Sequence, residues 1–207
     1  MTVAPMAELH ECEIPRLRPT QITVGMIEVE DKRKHLDGLD HHERRAFLKA
    51  RPIPAVLGPD DKLYITDHHH LARALHDAGY DTGFFLVEAD LSALAPDAFW
   101  KAMDERRWVH PIDANGKRQP TDDIPHHVQK LIDDPYRSLA GYVREAGGYV
   151  KTDTAFAEFV WADFFRARIP IGPKRSDFDD AVKQGLALAH SEHARNLPGY
   201  RASASVE

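Results

Sequence analysis

Cysteine is nearly absent from this chain: Cys12 stands alone among 207 residues. A single thiol rules out an intrachain disulfide and any metal site built from several cysteines. Long apolar runs are missing too, which excludes a bilayer-spanning helix. The opening residues, MTVAPMAELHECEIP, lack the basic-then-apolar order of a signal peptide. Together these absences predict a cytoplasmic protein with no membrane partner. Excess positive charge is also lacking, with 27 Lys and Arg against 33 Asp and Glu and a net charge of −6. A protein that grips many DNA phosphates is usually basic, so DNA is a partner that the charge does not favour. There is no internal repeat and no low-complexity segment.

What is present is the composition of an ordinary globular protein, 43% hydrophobic and 29% charged. The length suffices for a sizeable core. Thirteen histidines mean that net charge climbs steeply between about pH 7 and pH 6. The patterning predicts an α+β protein: a small mixed-sheet unit over residues 14–90, and a mainly helical region over 91–200 packed on it. Residues 1–13 read as a loose arm. Ile22, Val24 and Met26 alternate with polar or small residues as in a half-buried strand. Lys32–Leu36 and Asp40–Ala50 carry helix formers, and Arg44 and Arg45 read as surface charge. Ala55–Leu57 and Leu63–Thr66 flank the turn Gly58-Pro59-Asp60-Asp61 as a hairpin, and Gly83–Val87 is a further strand. Beyond residue 90, helices are expected over 96–108, 134–146, 154–168 and 176–195. The third is rich in aromatics (Phe156, Phe159, Trp161, Phe164, Phe165) and reads as packing between the two halves, or as a homodimer face.

The chain is organised around LYITDHHHLARAL, residues 63–75. The alternation of Leu63 and Ile65 with Tyr64 and Thr66 makes a strand, and Leu71, Ala72, Ala74, Leu75 and Ala78 supply an apolar helical face. Asp67 is placed to cap the helix. His68, His69 and His70 then occupy its first turn, where backbone N–H groups lack partners and the helix dipole is positive. Three readings follow. His69 or His70 donates to a phosphate seated on the helix start. Alternatively, one histidine joins Asp67 and a distant His35, His41 or His42 around a metal. In the third reading the histidines are simply solvated or packed. Successive histidines diverge by about 100° on a helix, so the three cannot share one ion unaided. Glu28 and Glu30 could take a proton from a hydroxyl or water, or hold Mg²⁺ against a phosphate, and are equally compatible with a solvated helix start. Lys32 and Arg33 could neutralise phosphate charge.

Three segments, Arg18-Pro19-Thr20-Gln21-Ile22-Thr23-Val24-Gly25-Met26, Ile53-Pro54-Ala55-Val56-Leu57 and Asp67-His68-His69-His70-Leu71-Ala72-Arg73-Ala74, together resemble the ParB-like nuclease family. That family lies within the ParB/sulfiredoxin superfamily. The likeness continues through Trp108-Val109-His110-Pro111, Asp134-Pro135-Tyr136-Arg137-Ser138-Leu139-Ala140 and Trp161-Ala162-Asp163-Phe164, and so covers nearly the whole chain. It implies a small mixed-sheet fold whose strand–turn–helix motif binds nucleotide phosphates. That motif is Gly-Glu-Arg-Arg in ParB proteins, Gly-Gly-Cys-His-Arg in sulfiredoxin and contains Asp-Gly-His-His-Arg in a related free-serine kinase. Here Asp67 stands for the glycine and His70 for the arginine, which removes a bidentate guanidinium. No cysteine stands in the motif, so sulfiredoxin chemistry is excluded.

Carried over, the resemblance implies a nucleotide-handling enzyme for phosphoryl transfer or phosphodiester hydrolysis. Glu28, Glu30 and Asp67 would be catalytic, and His68, His69, His70 and Arg73 would hold the phosphate. The ligand would be ATP, ADP, CTP or a phosphorylated small molecule, with Mg²⁺ as a candidate cofactor. The other reading is a non-catalytic nucleotide- or DNA-linked sensor using the same turn.

Overall fold

A computed structural model describes residues 9–202. Its described residues divide into two compact units, one holding residues up to 24 and 28–132, the other 25–27 and those from 133 on. The division falls after residue 132 rather than after residue 90, because the helix and the turn-rich segment that follow the sheet pack on the sheet. Val56, Phe99, Met103, Val109 and Ile124 form one buried cluster, with Tyr64 and Trp100 against it.

The first unit is built on a mixed five-stranded sheet. Its strands are β1 (Leu9–Glu13), β2 (Leu17–Arg18), β4 (Ile53–Gly58), β5 (Lys62–Ile65) and β6 (Thr82–Asp90), in the order β1-β6-β4-β5-β2; β3 is the short Thr23–Val24. β4 and β5 form the expected antiparallel hairpin, with Ala55 opposite Ile65, and β2 runs parallel to β5 with Arg18 opposite Tyr64. The expected loose arm is corrected in part. Leu9–Glu13 pairs antiparallel with β6, Leu9 opposite Leu86, because a chain end that alternates exposed and half-buried residues can complete a sheet edge. The rest of the arm, residues 1–8, lies outside the described residues, as do residues 203–207 of the tail.

A second correction concerns Met26. It does not continue a strand but opens α1 (Met26–Asp37). That helix is bound along its surface by Glu28–Lys32 at 3.1 Å and Arg33–Asp37 at 2.9 Å, pairs of the spacing that supports a helix by a few tenths of a kcal/mol each. α2 (His41–Lys49) opens on a reciprocal cap, Glu43 N–H to Asp40 and Asp40 N–H to Glu43. α3 (His69–Asp77) buries Leu71, Ala72, Ala74 and Leu75 and ends at Gly79, whose φ of +72° suits glycine. α4 is Pro96–Glu105. Among the described residues no helix is long and apolar enough to cross a membrane.

The second unit is helical: α5 (Pro135–Glu145), α6 (Ala157–Arg166) and α7 (Arg175–Ala189). Here the aromatic helix α6 packs the core of its own unit. Trp161 is fully buried, stacks on Tyr149 at 4.2 Å and donates Nε1–H to the Pro198 carbonyl at 2.8 Å. The turn that brings Pro198 there passes through Gly199, at φ +74°, where an added Cβ would lie 2.0 Å from the Val150 carbonyl oxygen. Gly199→Ala should therefore lower stability by at least about 1–2 kcal/mol, read as a fall in the urea midpoint.

Asp134 caps α5, accepting from Tyr136 N–H at 3.0 Å, and pairs with Arg166 while itself only 2% exposed. Burial pushes its carboxyl above the usual range, with Arg166 pulling the other way. A raised folded pKa gives stability that is complete below the unfolded value, about 3.9, and is lost as pH rises through the folded one. Asparagine can still cap. Asp134→Asn should therefore gain on the wild type in urea midpoint as pH rises from about 4.

Candidate functional site

β5 delivers the chain to the turn that opens α3. Thr66 N–H donates to the Pro54 carbonyl at 3.0 Å, and its hydroxyl donates to Glu88 at 2.8 Å. Asp67 is exposed at the tip, and its Oδ1 accepts from His68 N–H at 2.7 Å. The expected cap is thereby corrected. His68, not Asp67, occupies the N-cap position, and its backbone is left-handed at φ 60°, ψ 28°. The carboxylate of Asp67 is spent on stabilising this bend one residue early. A histidine in that conformation costs on the order of 1–2 kcal/mol, the kind of local strain that concentrates at ligand-binding turns. His68 Nδ1 is shut off from solvent and meets no hydrogen-bond partner among the described residues.

His69 points inward. It is 2% exposed, and its Nε2 accepts the Thr20 N–H at 3.0 Å, with the Thr20 hydroxyl, which donates to the Ile65 carbonyl, at 3.4 Å. The nitrogen that accepts from a backbone amide has its lone pair committed. His69 thus ties the segment after β2 to the first turn of α3. Its expected placing on the phosphate gives way to this brace, because the 100° step along the helix turns it into the core.

His70 faces sideways along the same turn, and here the structure brings two expected residues together. His70 Nε2 lies 3.6 Å from Glu28 Oε2, and both side chains are largely buried. The other oxygen of Glu28 is 3.1 Å from Lys32 Nζ, one helical turn further on. Lys32, Glu28 and His70 therefore form a row of alternating charge when the imidazole is protonated.

Two expected residues stand apart from this row. Glu30 is turned about 200° from Glu28 around α1. Its carboxylate is held by Arg33 at 2.8 Å and Lys34 at 3.6 Å, and the hydrogen bond from Arg33 keeps its pKa below the usual range. Arg73 lies a full turn beyond the helix start, where its Nε meets Asp77 at 2.8 Å and its Nη1 donates to the Leu131 carbonyl at 2.9 Å. Its guanidinium holds the C-terminal end of α3 to the chain at residue 131. Thr20 is the residue that sequence reasoning overlooked; no periodicity or motif marks a threonine whose amide, rather than side chain, makes the contact.

No group of three or more His, Cys, Asp or Glu side chains among the described residues is placed to hold a metal ion. Mg²⁺ is commonly held by one or two carboxylates together with substrate phosphates. Glu28, the one acidic group beside His70 in this row, has its oxygens directed at Lys32 and His70.

The first unit thus combines a mixed sheet with a strand–turn–helix, and the second is helical. The model of the family described as "Putative ParB-like nuclease" matches residues 10–167, and the chain belongs to that family. Among solved structures, protein Atu1540 from Agrobacterium tumefaciens is 44% identical, with a TM-score of 0.87 over 97% of this chain and 100% of that one. The C-terminally truncated chromosome-partitioning protein ParB from Caulobacter crescentus, complexed with CTP-γ-S, is 14% identical with a TM-score of 0.34, covering 90% of this chain and 94% of that one. At that score it carries no argument about this chain. A search of curated proteins found no match.

Proposed function

We propose that this chain is a nucleotide-handling enzyme for phosphoryl transfer or phosphodiester hydrolysis, working at the first turn of α3. The observation that carries the reading is the Glu28–His70 pair, 3.6 Å apart and largely buried, joined from positions 42 residues apart in sequence. A phosphate of ATP, ADP, CTP or a phosphorylated small molecule sits at that turn, where the helix dipole is positive. His70 supplies charge or a proton to it, Glu28 orients the imidazole, and Lys32 offsets the added negative charge. Positioning and neutralisation provide most of the catalysis in such reactions. Asp67 and His68 shape the turn, and Asp67, exposed at its tip, can reach an incoming hydroxyl. His69, Arg73 and Glu30 act outside the chemistry.

One observation favours a second reading. Glu28 is already engaged through both oxygens, as suits a binding or sensor module in which the pair responds to phosphate without transferring it.

The test is calorimetric titration of ATP, ADP, CTP and a short DNA, each with and without Mg²⁺, into wild type and His70→Gln. Nucleotide should bind the wild type and bind the variant at least about tenfold more weakly, the scale of one charge-assisted hydrogen bond. Absence of nucleotide binding to the wild type removes the proposal, and binding of DNA alone replaces it with a nucleic-acid ligand.

A further inference from the structure

A cleft lies within the first unit. It has a volume of about 140 Å³, and its walls include Arg18, Lys62, Tyr64, Trp100, Asp122 and His126. Strand geometry explains the gathering. Arg18 and Tyr64 are register partners on the parallel strands β2 and β5. Lys62 and Tyr64, two apart on β5, share one face, while Leu63 and Ile65 take the other. Tyr64 packs against Phe99 and Trp100 of α4, with ring centroids 4.6 and 5.5 Å away. The segment carrying His126 closes the side, its carbonyl accepting from Arg18 Nη1.

Two cationic side chains thus stand beside two half-buried aromatic rings, and burial raises the Tyr64 hydroxyl pKa, keeping that ring a neutral donor. Lys62 has Asp60 as its ion-pair partner at 2.8 Å, on a carboxylate that is 76% exposed. Such a pair is worth little and can be exchanged for a ligand anion. The volume sets the size of the occupant: a cavity of about 150 Å³ accommodates a benzene ring.

We infer that this cleft binds a single planar ring carrying an anionic group, the ring against Tyr64 and Trp100 and the anion against Arg18 and Lys62. The inference is independent of the chemistry assigned to Glu28 and His70. Cation and ring faces together select such a ligand over either part alone, because the ring gains stacking and cation–π contact that a bare anion lacks.

Titration of the full chain with phenyl phosphate and benzoate tests it, against inorganic phosphate and cyclohexanecarboxylate as ringless and non-planar controls. At least one aromatic anion should bind, with each control about tenfold weaker or more, the scale of a stacking contact. Phenyl phosphate against benzoate tells which anion is preferred. Lys62→Gln, a surface change, should weaken binding about three- to fivefold. Trp100→Leu, checked for folding by its melting curve, should weaken it further and abolish the accompanying fluorescence quenching. His70→Gln should leave benzoate binding unchanged, which separates this cleft from the α3 turn. Failure of both aromatic anions to bind, equal binding of the controls, indifference to Lys62→Gln, or loss of benzoate binding in His70→Gln would each overturn the inference.

Discussion

His69→Ala should cost about 3–4 kcal/mol of stability, the largest stability effect expected from any of the three consecutive histidines. Two terms add. The Thr20 N–H, which His69 Nε2 accepts at 3.0 Å in a buried setting, loses its acceptor, and an unsatisfied buried donor costs about 1–3 kcal/mol. The vacated imidazole volume adds a cavity term, because a side chain 2% exposed has no solvent to replace it. For a domain of this size each kcal/mol moves the melting temperature by about 2–4 °C, so a fall of roughly 10 °C is expected. His69→Gln, whose side-chain carbonyl can accept the same amide, should recover part of the loss. His70→Gln, which removes a partner of Glu28 but keeps the volume, should melt within a few degrees of the wild type. A His69→Ala variant that melted with the wild type but no longer bound nucleotide would return His69 to the phosphate.

The distinction between these neighbours shows where sequence reading ends. The strand–turn–helix at residues 63–75 was legible, since the alternation through Leu63 and Ile65 and the apolar spacing through Leu75 each favour one structure. So were the 53–65 hairpin and the helices beyond residue 90. The roles of the three histidines were not legible, because a left-handed residue at His68 sets the phase of the helix, and that phase decides which ring faces the core. No local rule favours φ of 60° at a histidine next to an aspartate over the ordinary cap that Asp67 would make. Glu28 was a candidate on its position after the first strand, but its pairing with His70 depends on the packing of α1 against the opening of α3, a contact across 42 residues. Glu30 and Glu28 look alike in sequence; the difference is a 200° turn around a helix whose register was itself unreadable while Met26 seemed to belong to a strand. The edge strand Leu9–Glu13 was missed because its partners on β6, Leu86 to Thr82, lie far along the chain.

Substitution of the acid–imidazole pair decides between an enzyme and a sensor. In an enzyme, Glu28→Gln keeps the shape and removes the charge that orients His70. Turnover should fall about 10²- to 10⁴-fold, the range for loss of positioned acid–base catalysis. Nucleotide affinity should hold or tighten slightly, because a carboxylate beside a phosphate is a like charge and its removal leaves Lys32, formerly 3.1 Å from it, to meet the ligand. His70→Gln should lower turnover by a similar factor while also weakening binding. The double variant should be little worse in turnover than the poorer single one, since partners that act as a unit are not additive. Independent, multiplying losses would mean that Glu28 and His70 serve separate steps. In a sensor, no turnover exists to lose, and the Glu28→Gln variant still binds nucleotide but loses the conformational response that follows, measurable as an unchanged hydrogen-exchange pattern over α1 and α3 on saturation. Full turnover in Glu28→Gln would remove the carboxylate from the chemistry and leave it as an ion pair with Lys32 along α1.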